Sequence, residues 1–426
     1  MKKRIFFRLV SMVLMIVLLG LNTTWAKTSE LMIWHYERDN AMDVAWQVAM
    51  DDFAKMHPDV SIKFERKNFE QIQETARMIL NSYACPDVMY INKGNSTCGI
   101  YAKDGLITPL DEVAVKYGWD KILSPSIQTT CRYDENGIMG AGNLYGVTNY
   151  GEFVLVYYNK DMFAEYGLEV PSSLEEFEEI CEVFVQNGIT PMVIGGAERW
   201  PQTQNWYEFA LYKADRKFIT DFQLLQDDID FKGPEFSFAT EKYVEFVNKG
   251  YFDKNSNGIT YDDANNAFYQ GEYPIILTGS WLFGAVMDQV ETYDWGVFIM
   301  PGKKYNTGSG GNLWIVPQNA GNKDLAYEFI DLTLQKKYQT IMAEAGGIPV
   351  NADLDQIDDP KIRELNALFT EIVENDGLAF YPDWPVPGFM DALGGSLQNL
   401  FTGRMNEDRF LNSISNSYYD YKNAIQ

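Results

Sequence analysis

The chain predicts an α/β protein of two lobes. Three observations carry that prediction: short apolar runs alternate with longer amphipathic ones, 426 residues exceed what one core usually serves, and a late apolar strand stops at a glycine and a tryptophan. The alternation is the pattern of βα units and a mainly parallel sheet. A hydrophobic content of 46% and an aromatic content of 15% supply material for two cores.

The elements follow in order. Leu31-Met-Ile-Trp34 reads as a first strand, and 40–56 as a helix with apolar residues at Met42, Trp46, Ala49, Met50 and Phe53. His57-Pro58 ends it, because proline cannot continue a helix. Val60-Ser-Ile-Lys-Phe64 alternates like a strand, 70–80 like a helix, and Asp87-Val-Met-Tyr-Ile91 like a third strand, which completes a βαβαβ half. The run 144–158 is a long extended segment interrupted by Gly146 and Gly151, able to leave one lobe and enter another while the glycines absorb the bend. Ser173 followed by Glu176 makes a capping box. Helices then dominate to Phe268, broken by Thr190-Pro-Met-Val-Ile194 and the turn at Gly195-Gly196. The stretch Tyr269 to Trp281 runs from a helix end through Gly271 into a buried strand and delivers an aromatic ring to a sheet edge.

Residues 1–26 read as a secretory signal. Lys2, Lys3, Arg4 and Arg8 form a basic start, Leu9 to Leu21 an apolar stretch of 13 residues, and Thr24-Trp-Ala26 a small-residue cleavage site. A membrane crossing needs roughly 20 apolar residues, so an uncleaved anchor is the weaker reading. No cysteine near the cut supports a lipid anchor, so an exported, periplasmic or extracellular protein is expected. Cleavage leaves 31 Lys and Arg against 60 Asp and Glu, a net charge of −29. Such a surface repels phosphate backbones and anionic headgroups, which argues against nucleic acid and membrane surfaces as partners. Cys85, Cys98, Cys131 and Cys181 are too few for a disulfide scaffold, and spacing alone does not pair Cys85 with Cys98. Two histidines, His35 and His57, with no CxxC or HExxH, leave a His- or Cys-rich metal site without ligands.

Candidate binding residues cluster at strand ends and loops. Trp34 and Tyr36 follow the first strand, Asn92 and Asn95 the third, and Tyr150 with Glu152 lies at the first crossing. Glu198 and Trp200 follow the glycine turn, Trp281 ends the returning strand, and Asn312 with Trp314 follows Gly308-Ser-Gly-Gly311. Asp383-Trp384 sits among prolines in 381–387, too stiff for ordinary packing. Aromatic plates beside planar polar groups suit a sugar, whose rings offer apolar C–H faces and a rim of hydroxyls. The plainer alternative is that a lone tryptophan packs and a lone acid is solvated. Trp46, Trp119 and Trp295 read as such packing residues. Asp253, Asn255 and Asn257 with Gly258 match the start of a calcium loop, but position 12 is Ala264 and lacks the bidentate glutamate. A polar turn before a helix is therefore expected, and no cofactor.

Five short motifs then stand in a telling order. Leu155-Val-Tyr-Tyr-Asn-Lys-Asp-Met-Phe163 with Pro171-Ser-Ser-Leu-Glu-Glu-Phe177, Phe268-Tyr-Gln-Gly-Glu272 with Thr278-Gly-Ser-Trp281, and Gly346-Gly-Ile-Pro-Val-Asn351 resemble the extracellular solute-binding proteins of ATP-driven importers, in the carbohydrate-binding, maltose-binding-protein-like branch. The likeness spans nearly all of the mature chain. It implies a periplasmic-binding-protein-like fold, with a first lobe of 27–148 plus 280–334 and a second of 149–279 plus 335–426. Crossings are expected near Asn149, Gly279 and Gln335, with the ligand between the lobes. It also implies a monomer that hands a carbohydrate, an oligosaccharide foremost, to an ABC permease, with Trp281 lining the cleft. Two rivals stay open: a binding protein for a polyol, peptide or polyamine, and an exported glycoside hydrolase. No carboxylate spacing singles out a hydrolytic pair, and the Gly-x-Ser-x-Gly elbow is absent.

Overall fold

The computed structural model describes residues 29–38 and 40–425, so the expected signal segment lies outside the described residues. Strands β1 (Ser29–His35), β2 (Val60–Arg66), β3 (Val88–Ile91) and β10 (Leu313–Ile315) form one sheet in the order β10-β3-β1-β2. β1 runs parallel to β2 and β3, and β10 is antiparallel to β3. Leu31, Ile33 and His35 alternate onto the face covered by the helix Ala41–Met56, whose Trp46 meets His35 edge-on at 6.0 Å. Asn40 caps that helix by accepting from the Asp43 backbone N–H.

The second sheet is built differently. β6 (Tyr150–Asn159) is buried along its whole length and pairs antiparallel with β7 (Ile275–Gly279), β8 (Trp295–Phe298), β9 (Gly308–Ser309) and β11 (Ile348–Pro349). The mainly parallel sheet expected from alternation therefore holds for the first lobe only. A single long strand serving as the hub for four short ones leaves no βα rhythm to read. The two-residue strands β4 (Arg132–Tyr133) and β5 (Asn143–Leu144) make a separate ribbon. The extended run expected over 144–158 accordingly splits into β5 and β6.

Two lobe assignments need correction. The segment after Gly279 does not return directly to the first lobe: β8 and β9 pair with β6, and Phe283 and Val286 sit in the second core. The chain rejoins the first sheet only at β10. The helix Lys336–Glu344, expected in the second lobe, packs on the helix Ala41–Met56 of the first. The chain then enters the second sheet at β11.

The capping box also differs in detail. Ser173 Oγ accepts from the Glu176 N–H at 3.2 Å, but Glu176 Oε2 reaches back to the Ser172 N–H at 2.7 Å, one residue further out. The four cysteines are buried and unpaired.

Candidate ligand-binding cleft

The carboxyl ends of β1 and β3 open at the junction of the two sheets, where α/β sheets present their ligand loops. Tyr36 and Glu37 follow β1; Asn92, Lys93 and Asn95 follow β3. Facing them are Tyr150 and Glu152 at the start of β6 and Ser309 in β9. The segment bridged to β9 through Gly308↔Phe380 carries Tyr381, Asp383 and Trp384.

The second-lobe wall is a continuous run of rings. Trp200 lies 4.6 Å from Tyr261 and 5.9 Å from Trp281, Trp281 6.3 Å from Tyr381, and Tyr381 5.2 Å from Trp384 between centroids. Phe380 stacks on Trp384 at 6.1 Å and 15°. Trp281 reaches this position because Gly279 has no side chain: a Cβ there would stand 2.0 Å from the indole Cζ3. Its Nε1 donates to the Tyr261 hydroxyl at 2.8 Å, which fixes the ring half-exposed. A narrow crevice with no room for a water-sized guest is lined by Trp281, Tyr150, Ala41, Met42 and Gly346.

The floor is polar and buried. Tyr150 donates its hydroxyl hydrogen to Glu152 Oε2 at 2.9 Å, and Ser309 donates to Glu152 Oε1 at 3.2 Å. Asn312 donates to the Tyr150 oxygen through both its backbone N–H and its Nδ2, at 3.3 Å each. Asn40 Nδ2 donates to Glu37 at 2.5 Å, and Lys93 Nζ to Thr130 Oγ1 at 2.8 Å. Burial pushes the Glu37 carboxyl up to about 8 and Asp383 up to about 7, raises Glu152, and lowers the Lys93 ammonium. The hydroxyls of Tyr36, Tyr90 and Tyr381 and Oδ1 of Asn312 make no well-formed hydrogen bond.

The lobes touch across this floor. Trp384 Nε1 donates to Asn92 Oδ1 at 3.2 Å, the Ser96 N–H donates to the Trp384 carbonyl at 3.0 Å, and Asn92 Nδ2 lies 3.4 Å from Asp383 Oδ2. Gly94, at φ +86°, permits this approach, since a Cβ there would meet the Trp384 Cβ at 2.5 Å. On the exposed rim Arg38 pairs with Asp262 at 3.3 Å.

The structure thus brings Tyr36, Asn92, Tyr150, Glu152, Trp200, Trp281, Asn312, Asp383 and Trp384 to one junction. Others lie elsewhere. Trp314 is a correction: it sits in β10 with no exposed surface, 4.6 Å from Trp46 and 4.8 Å from Tyr90, because β10, the end strand beside β3, turns its ring into the first core. With the Asn149 amide oxygen turned toward them, the Trp314 and Trp46 indole N–H groups both donate to it at 3.0 Å. Asn95 is committed to protein partners, donating to the Gln223 and Pro385 carbonyls at 3.0 and 2.9 Å and accepting from the Met139 N–H at 2.7 Å. Glu198 accepts from the Tyr261 N–H at 2.9 Å and so stands behind the wall. Trp34 lies on β1 under the Lys67 ammonium, 4.3 Å above its ring. The Asp253 carboxylate accepts from the Asn255 N–H at 2.7 Å and the Tyr273 hydroxyl at 2.9 Å, while Asn257 bonds to Gln202 and donates to the Gln398 carbonyl. These oxygens form a turn ahead of the helix Tyr261–Tyr269. Sequence reasoning missed Glu37, Tyr90, Lys93, Tyr261 and Tyr381. Tyr90 hides in an apolar strand, and only its single hydroxyl set it apart.

The model of the bacterial extracellular solute-binding protein family matches residues 40–340. The chain belongs to this family. Among its relatives, this solute-binding protein is 25% identical to the maltotriose-binding protein of Pyrococcus abyssi over 345 residues, 79% of this chain and 69% of that one. It is 26% identical to the diacetylchitobiose binding protein DasA of Streptomyces coelicolor over 341 residues, 76% of this chain and 73% of that one. A solved chitin oligosaccharide binding protein superposes with a TM-score of 0.79 at 18% identity, over 93% of this chain and 100% of the other. That likeness shows the fold, two α/β lobes.

Proposed function

We propose that this solute-binding protein captures a carbohydrate, an oligosaccharide foremost, between its lobes and delivers it intact to an ABC permease. The observation that carries this reading is the aromatic wall from Trp200 through Trp281 and Tyr381 to Trp384, facing a floor of tyrosine hydroxyls, amides and carboxyls. Rings match the apolar faces of a sugar, and the floor matches its hydroxyls. The relatives named for maltotriose and diacetylchitobiose support the same class of ligand. The basic and apolar N-terminal segment supports export.

The cross-cleft bonds of Asn92, Asn95 and Ser96 belong to a closed arrangement. Ligand favours that arrangement through contacts it makes with both lobes at once, and the crossings near 147–150, 309–313 and 345–348 are where the chain bends. The permease then reads closure, and ATP hydrolysis belongs to the partner.

A thermal-shift screen against a glycan panel tests the reading, followed by calorimetry on each hit. Stabilisation by at least one oligosaccharide is expected, with the sugar recovered uncleaved after overnight incubation. Release of shorter sugars would establish the hydrolase reading instead.

A further inference from the structure

Resting on the reading of two lobes that close on a guest, we infer that Asn95 is a positioning residue that latches the lobes together in ligand-free molecules as well as liganded ones, and so sets how tightly the cleft holds its guest. The argument begins with how one amide is shared. Asn95, 1% exposed, opens the short helical turn Asn95–Gly99 that follows β3 in the first lobe. Its Oδ1 accepts from the Met139 N–H at 2.7 Å, a bond within the first lobe, where Met139 is bridged to Tyr133. Its Nδ2 donates across the junction twice, to the Gln223 carbonyl at 3.0 Å and to the Pro385 carbonyl at 2.9 Å. Gln223 lies in the helix Arg216–Leu224 and Pro385 directly follows Trp384, so the two acceptors come from separate parts of the second lobe. A side-chain amide has two donor hydrogens, and Asn95 commits both to the opposite lobe.

The seam around Asn95 is shaped for contact on either side. Next to it the Ser96 N–H donates to the Trp384 carbonyl at 3.0 Å, where Gly94 admits the Trp384 backbone. Beyond Met139, Gly140 at φ +114° lies against Leu224, since a Cβ there would stand 3.2 Å from Leu224 Cδ1. The residue whose N–H Asn95 holds is therefore the one that sets Gly140 on the second lobe. Asn95 ties both edges of the seam to one side chain.

Every atom in this seam belongs to the protein, so its bonds need no guest. Each direct bond present only in the closed form shifts the balance toward closure by roughly two- to tenfold. On opening, water takes over the Gln223, Trp384 and Pro385 carbonyls, which keeps the latch reversible. A ligand that binds the closed form is held less tightly in proportion to the share of molecules that stay open, so a latch raises affinity without touching the ligand. Ligand then draws the remaining open molecules across.

Small-angle scattering of the ligand-free mature protein at neutral pH tests the inference with Asn95→Asp. The change is isosteric, keeps the acceptor for the Met139 N–H, and sets a carboxylate oxygen against two carbonyls in place of the shared donor. A radius of gyration larger than that of the ligand-free wild type is expected, and this arm needs no sugar. Leu224→Ala trims a half-buried side chain at the other edge of the seam and is expected to move the radius the same way by less, which keeps the test open should Asn95→Asp fail to fold. For a glycan that the wild type binds, stopped-flow should show release from Asn95→Asp about tenfold faster at the same stoichiometry. Ligand-free dimensions equal to the wild type's in the variants that fold would overturn the inference and leave the carbohydrate reading standing. Release at the wild-type rate with a lowered stoichiometry would overturn it too, marking Asn95 as a folding residue. A wild type that binds no glycan would sink the carbohydrate reading and leave the ligand-free comparison to decide the latch.

Discussion

Two buried groups of charges stand in this molecule and are satisfied in opposite ways. In the second lobe Lys303 and Glu208, both essentially without exposed surface, lie 2.8 Å apart. Glu208 also accepts from the Thr307 N–H at 2.9 Å, and Lys303 donates to the Tyr305 carbonyl at 2.9 Å and to Asn306. Every partner belongs to the protein, so the group fastens the helix Trp200–Ala210 to the strand region around β9. At the lobe junction, Glu37, Glu152 and Asp383 are buried with no Lys, Arg or His within ion-pair distance among the described residues, and neutral donors hold them instead: Asn40 on Glu37, Tyr150 and Ser309 on Glu152, and Asn92 on Asp383. The first group is an ion pair inside one lobe, whereas the second gathers neutral donors and carboxyls from both lobes at their junction.

The contrast breaks first at Lys303. Lys303→Met leaves Glu208 charged, buried and alone, which is expected to cost about 3–5 kcal/mol in urea denaturation. Ligand affinity of the folded fraction should stay within about threefold, because no cleft group touches the pair. The tryptophans give the converse. Trp281→Ala should lower affinity by about 2–3 kcal/mol, roughly 30- to 150-fold by calorimetry, with a smaller loss of stability because the ring is only half-buried. Trp314→Ala should do the reverse, with a stability loss of about 3–5 kcal/mol and little change in affinity.

A proton titration sharpens the comparison next. Glu37 at about 8 and Asp383 at about 7 lie above their unfolded values, so the closed form binds more protons than the unfolded chain between those limits. This contribution to stability is fully present below the unfolded carboxyl range and is lost as pH rises through about 7 and 8. The melting temperature of the ligand-free protein should therefore fall from about pH 5 to about pH 8 and level off above, and Glu37→Gln should flatten the slope. A wild-type curve as flat as that of the variant would show that Glu37 is ionised in the empty cleft. The smallest effect belongs to the rim. Arg38→Ala removes an exposed pair across the cleft and should shift ligand affinity by no more than about 1 kcal/mol, vanishing at high salt.

Much of the fold was legible because local periodicity encodes it. The first βαβαβ half reads directly from alternating Leu31, Ile33 and the helical Met42, Trp46, Ala49 and Phe53. The second lobe was less legible, since β8 and β9 are four and two residues long and gain their place only by pairing with β6. That is a long-range fact with no local pattern. In the cleft, Trp281 was readable from the Gly279 stop beside it. Trp314 and Trp384 look alike as tryptophans near flexible or stiff loops, yet one fills a sheet core and the other reaches across to Asn92. Glu37 resembled any surface acid next to Arg38, yet it is buried and accepts from the Asn40 amide.

Small-angle scattering of the mature protein, with and without a saturating glycan drawn from the thermal-shift screen, tests the central claim most directly. Two lobes that close on a sugar predict a smaller radius of gyration in the wild type with ligand, and no such change in Trp281→Ala at the same glycan concentration. A wild type whose dimensions stay the same when its site is filled would contradict the account.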